Sequence, residues 1–227
     1  MFAHTHPYEP FLFEEATRWI VGTLPPPRFT QGLLRPGDVD FCYGSRDGQL
    51  WRILDRIFTL DLTFETTLEA VLQRKEFLRR RGIGICDIVE RAERQKIDAT
   101  DLGMENIQLR DMLGLLHKYP KVQTLLFTGG NSKNGPEYLF RRLLRSEGMK
   151  LEPLVSEVPR IHRFRLPAED REITTVSLTA PSGSANRAVG SLPEYKARKA
   201  KDPNYTVLDF RGEQYRIYFP SENTIRP

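Results

Sequence analysis

Two short loops carry residue types from which chemistry can be built. Val21-Gly22-Thr23-Leu24-Pro25-Pro26-Pro27 follows an apolar run, and Ala180-Pro181-Ser182-Gly183-Ser184-Ala185-Asn186-Arg187 follows Ile173-Thr174-Thr175-Val176-Ser177-Leu178. Each puts small, turn-forming residues at the C-terminal end of an expected buried strand, where open α/β sheets bind their ligands. Backbone amides around Thr23 and Leu24 can stabilise developing negative charge without a special side chain. In the second loop Pro181 stiffens the chain, Ser182 and Ser184 offer hydroxyls for hydrogen bonding, and Gly183 lets a backbone approach closely. Asp47 and Asp87 are acids able to hold a water or act as a general base. Arg46-Asp47-Gly48 is equally a turn sequence in its own right.

Other chemistries find no support. There is no G-x-G-x-x-G after the first strand, no P-loop and no G-x-S-x-G elbow, which argues against dinucleotide, nucleotide-triphosphate and serine-esterase sites. His4, His6, His117 and His162 lack metal-ligand spacing, so no metal site is expected. Cys42 and Cys86 cannot make a four-cysteine site, and a disulfide would be unusual in a reducing compartment. Phe127-Thr128-Gly129-Gly130-Asn131 is either a phosphate cradle or a strand-to-helix turn that needs glycine for geometry alone.

The elements that must position these loops alternate in type. Strands are expected at 17–23, 122–128 and 172–178. Helices are expected at 67–81 (Leu68, Val71, Leu72, Phe77 and Leu78 at helical spacing, Gly82 as its cap), at 106–118, and from Pro136 through Leu144 to Gly148. Residues 206–219 read as a hairpin around Arg211-Gly212-Glu213, an edge addition spanning about 203–220 with no assigned role. The expected fold is a three-layer α/β/α sandwich around a short, mainly parallel sheet. With 227 residues and no linker-like stretch, one domain over 1–227 is favoured. Hydrophobic content of 39% with 28% charged residues, and no 18-residue apolar run or signal peptide, describes a cytoplasmic protein with no membrane partner.

Net charge is +4 with a pI of about 9.1. That balance permits a polyanionic partner without demonstrating one. Arg187, Lys196, Arg198, Lys199 and Lys201 oppose only Glu194 directly after the second loop, either as a solvated helix face or as a phosphate-binding flank.

Three blocks together resemble the uracil-DNA glycosylase superfamily, most nearly its bacterial branch of mismatch-specific and hypoxanthine-type enzymes. Gly22-Thr23-Leu24-Pro25 resembles the family's Gly-x-x-Pro turn, and Phe41 to Trp51 a stretch in which Tyr-Gly leads to Trp. Pro181 to Arg187 resembles the second motif of the mismatch-specific relatives. The resemblance covers roughly residues 4–201. It implies a monofunctional DNA glycosylase that flips a damaged base, uracil or hypoxanthine or another modified base, from DNA and hydrolyses its N-glycosidic bond in base-excision repair. It implies no cofactor, damaged or mismatched DNA as partner, and a monomer. The resemblance places Asp47, Asp87 and Thr23 in catalysis. It assigns the base pocket to Gly22, Leu24, Pro25, Phe41, Tyr43, Gly44, Ser45, Thr128 and Asn131. DNA contact falls to Pro181, Ser182, Gly183, Ser184, Asn186, Arg187, Lys196 and Arg198. Tyr43 is open between a stacking surface and a packed core aromatic. The Gly-x-x-Pro turn lacks the Asp or Asn of better-known branches, and Gly48 stands where hypoxanthine-type relatives carry Asn. A DNA-binding member of the same fold without turnover is therefore the alternative, and a small-molecule hydrolase on the same framework the third reading.

Overall fold

The computed structural model describes residues 1–219. In chain order the strands are β1 Phe2–Thr5, β2 Arg18–Val21, β3 Ile83–Ile85, β4 Val89–Arg94, β5 Met104–Leu109, β6 Thr124–Phe127, β7 Glu152–Val155, β8 Arg160–Leu166 and β9 Arg171–Ser177. The helices are α1 Pro27–Thr30, α2 Leu50–Phe58, α3 Leu68–Arg80, α4 Met112–Lys118, α5 Pro136–Ser146, α6 Asn186–Ser191, α7 Pro193–Lys201 and α8 Val207–Tyr218.

Six strands form the central sheet in the order β3-β2-β6-β9-β8-β7. The first four are parallel; β8 pairs antiparallel with β9, and β7 antiparallel with β8. Successive residues of a strand point to opposite faces. Ile20, Leu126 and Val176 accordingly join a core with α2, α3 and α8, while Trp19, Val21, Leu125 and Phe127 join a second core with α4 and α5. Burial on both faces is why β2 and β6 carry apolar residues in succession, Trp19-Ile20-Val21 and Leu125-Leu126-Phe127. The result is the α/β/α sandwich that the alternation predicts. A separate antiparallel sheet, β1-β4-β5, lies outside that pattern.

Three local expectations are corrected. Residues 104–109 form a strand, because Ile107 and Leu109 alternate with polar neighbours; the helix starts only at Met112, where the Asp111 side chain caps Gly114 N. On α3 the buried stripe is Ala70, Val71, Arg74, Phe77 and Leu78, and Leu68 and Leu72 are 72% and 51% exposed. The hairpin is absent: 207–218 are helical, begun by a Thr206–Asp209 capping box. Gly212, which looks like a turn residue, lets α8 approach α2, since a Cβ there would lie 3.2 Å from Ile57 Cγ2. Pro220, the last position of that expectation, falls outside the described residues.

Candidate active site

Parallel pairing sets Val21, Phe127 and Ser177 side by side, so the loops after β2, β6 and β9 leave the sheet at one level. They surround a cleft of about 610 Å³ whose walls include Thr23 to Pro26, Tyr43, Asp87, Thr128 and Ala180 to Ser184. That volume lies within the usual range for small-molecule sites, about 300–1,000 Å³.

Asp87 occupies its floor, 7% exposed. It follows β3, where Cys86 N and Ile88 N donate to Ile20 O and Gly22 O and so lock the loop against β2. Its Oδ1 accepts from Gly22 N and from the Tyr43 hydroxyl, both at 2.7 Å, and its Oδ2 lies 3.0 Å from His6 Nε2. A carboxylate only accepts, which fixes a proton on Nε2. The Tyr43 hydroxyl also lies 3.2 Å from Thr128 Oγ1. Burial first, then the charge of Asp87, hold the Tyr43 phenol well above its ordinary range, so it remains a neutral donor. Gly22 is required by space: a Cβ would stand 2.3 Å from Tyr43 Oη and 2.9 Å from Asp87 Oδ1.

The block from Phe41 to Trp51 now has a geometry. Trp51 Nε1 donates to Cys42 O (2.9 Å), pinning a turn in which Tyr43 adopts a left-handed φ of +59°. Such a conformation costs a tyrosine on the order of 1–3 kcal/mol and persists only where surroundings impose it. Gly44 contributes by having no side chain, because a Cβ would sit 1.9 Å from Val39 O. Tyr43 reaches the cleft. Phe41 does not: it packs in the core between Phe11 and Trp51, and the pocket role expected for it is withdrawn.

Asp47 lies on the rim with its side chain 66% exposed, 3.2 Å from Arg28 Nη2. Arg28 is itself held by Asp38, a fully buried carboxylate missed in the sequence, which also accepts from Arg35 N and Arg46 N. Burial works to raise the Asp38 pKa, but these bonds outweigh it and hold the carboxyl at about 2. A folded value below the unfolded 3.8 means stability that is present above about pH 4 and lost as pH falls toward 2. Thermal melts across that window should show Asp38→Asn with a flatter acid-side loss than the parent.

The other expected residues divide. Leu24, Pro25, Ser45 and Thr128 line the cleft, whereas Asn131 is exposed and outside it. Its neighbour Asn134 is the buried amide, donating to Asp101 O and Met104 O. Thr23 lines the cleft with its hydroxyl on Asp101 Oδ1 (2.7 Å). In the second loop Pro181, Ser182, Gly183 and Ser184 form the opposite wall, and Gly48 bridges Ser182 while Gln49 N donates to Pro181 O. Asn186 Oδ1 accepts from Arg211, which occupies that oxygen. Arg187 and Lys196 are exposed on α6 and α7, while Arg198 pairs with Glu213 of α8.

Sequence reasoning missed His6, Asp38, Asp101 and Arg211. Among the described residues, no group of three or more His, Cys, Asp or Glu could hold a metal ion, and no helix is long and apolar enough to cross a membrane.

The fold is uracil-DNA glycosylase-like, a central sheet between helical layers. The chain is similar to the solution NMR structure of a proposed uracil DNA glycosylase from Methanosarcina acetivorans, with a TM-score of 0.51 over 92% of this chain and 99% of that one. The two sequences are 17% identical, so the likeness is one of fold. No family model and no curated protein matches the chain.

Proposed function

We propose that the protein is a monofunctional DNA glycosylase of base-excision repair, acting as a cytoplasmic monomer on a flipped, deaminated or otherwise modified base. The observation that carries this reading is the convergence of the Gly22–Pro25 and Ala180–Ser184 loops on one cleft with a fixed carboxylate at its floor. A flipped base enters between the loops, and the exposed basic residues of α6 and α7 take the backbone phosphates.

Asp87 is the better candidate than Asp47 to position the attacking water. A carboxylate offers about four acceptor directions. Two on Oδ1 and one on Oδ2 are filled by Gly22, Tyr43 and His6, leaving one on Oδ2 for a water. Asp47, exposed and engaged by Arg28, is screened by solvent.

The test is base release from labelled oligonucleotides carrying uracil, hypoxanthine, xanthine or a modified cytosine, single-stranded, paired and mismatched, with alkaline cleavage of abasic sites. Scission with one base supports the reading and names its substrate. Salt-sensitive binding without scission would favour the non-catalytic reading. Gly48 supports that second reading: a Cβ there would lie 3.1 Å from Ser45 O, so the loop as closed does not readily accept the Asn of the relatives.

A further inference from the structure

We propose that Asp101, which shares the cleft with Asp87, is the acid that protonates the departing base. This rests on the glycosylase reading and adds to it a second carboxyl with a separate task. Asp101 lies in the connection between β4 and β5 and lines the cleft. Two buried side chains set its position. Arg94 Nη1 donates to Thr100 O (2.6 Å), and Asn134 Nδ2 donates to Asp101 O (3.0 Å). Thr23 then turns the carboxyl toward the Gly22–Pro25 loop through its hydroxyl on Oδ1.

The two carboxyls differ in how they are held. Asp87 meets three donors, Gly22 N, the Tyr43 hydroxyl and His6 Nε2. Among the described residues, the Asp101 carboxyl meets one donor, Thr23. The charged groups that act on it are Arg94 of β4, which also faces Asp98, and Asp87 beyond β3; Lys133 after β6 and His6 after β1 line the same cleft. Burial raises the Asp101 pKa; the Thr23 bond and Arg94 pull it down, and Asp87 pushes it up. The net direction is upward, which keeps a proton available at higher pH than for an ordinary aspartate. A cleft carboxyl whose surroundings raise its proton affinity has the character of a catalytic acid.

The step balances. The N-glycosidic bond breaks with its electron pair passing to the base nitrogen, and the Asp101 proton passes to the base. Water adds its oxygen to C1′ and gives its proton to Asp87. Asp87 then releases a proton to solvent and Asp101 takes one up, leaving free base and an abasic sugar. Such an acid matters most for bases that are poor leaving groups as anions.

The experiment is single-turnover base release by the full chain and by Asp101→Asn over leaving groups of graded acidity, including uracil and 5-fluorouracil. Asp101→Asn should slow the poorest leaving group about 100-fold or more, the lower end of general-acid contributions, while 5-fluorouracil is spared. The high-pH limb of the rate profile should disappear with it. In Thr23→Val, which loses a bond to the ionised carboxyl, the limb should move to higher pH. Equal slowing across the series, or an unmoved pH limb in both variants, overturns the acid role while leaving the glycosylase reading intact. Wild-type protein that releases no base overturns both. Carbon-detected titration of the Asp101 carboxyl supplies a readout free of turnover, and a value at or below the ordinary aspartate range overturns the proposal.

Discussion

Asp87→Asn is expected to slow base release by about 10²–10⁴-fold, the span associated with a positioned general base, with DNA affinity unchanged or slightly raised. Asn has the shape of Asp, so Oδ1 still accepts from Gly22 N and the Tyr43 hydroxyl. Its Nδ2 faces His6 Nε2, and His6 can answer by moving its proton to Nδ1, where Tyr8 O lies at 2.9 Å. Geometry therefore survives, and what disappears is the charge and the free acceptor on Oδ2. Removing a negative charge from a cleft that receives a polyanion cannot weaken binding by Coulomb repulsion. Asp47→Asn is the control. Exposed on the rim and tied to Arg28, it should change the rate only a few-fold. Single-turnover kinetics on the base identified in the panel, with titration of uncleaved duplex, separate the two. A silent Asp87 variant beside a dead Asp47 variant would reverse the assignment.

The layers were legible because the core strands are buried on both faces, so Trp19–Val21 and Leu125–Phe127 stand out as apolar runs without helical period, while β9 is marked by its β-branched Ile173-Thr174-Thr175-Val176. Helix ends were legible where geometry forces one residue: Gly82 and Gly148 both take positive φ after α3 and α5. The small sheet was not, because its strands mix polar and apolar residues; Val89-Glu90-Arg91-Ala92-Glu93-Arg94 offers little apolar alternation. Glycine misled at 212, where it serves helix packing and not a turn. Within the site the two loops were readable from composition. The partners that hold the chemistry were not, since His6 and Asp87 are 81 positions apart and nothing local in either segment announces the pairing. Phe41 and Tyr43 show the same limit. Both are aromatics in one block, and only the left-handed backbone at Tyr43 sends that ring to the cleft. Asp101 sits in a polar stretch that reads as surface, and it becomes a cleft residue only through Arg94 and Asn134.

Arg211→Met is expected to destabilise the protein by about 2–3 kcal/mol and to weaken DNA binding more than that loss alone accounts for. Arg211 is fully buried on α8, and among the described residues no carboxylate pairs with it. Its guanidinium donates to Gln49 Oε1, to Asn186 Oδ1 (2.7 Å) and to Ser182 O (3.1 Å), joining the loop after β9 to the wall before α2. One helical turn further, Gln214 Oε1 accepts from Thr179 N and the Tyr215 hydroxyl donates to Thr179 O. Helix α8 thus grips both ends of the loop that the proposed function puts against DNA. Hydrogen bonds to a charged group contribute about 1.5–3 kcal/mol each. Relief of a desolvated charge on replacement by Met offsets part of the sum, which gives the smaller net figure. For a chain of this size that is a fall of roughly 4–12 °C in Tm. Arg211→Lys keeps the charge but lacks the planar fork, so it should not restore all three bonds. Hydrogen exchange of peptides covering 179–187 and 46–50 should rise in both variants while β6 stays protected. If exchange rose uniformly, Arg211 would be serving global stability alone; if neither segment changed, the clamp would not exist, and the loop would owe its shape to Pro181 and the Gly48–Ser182 bridge.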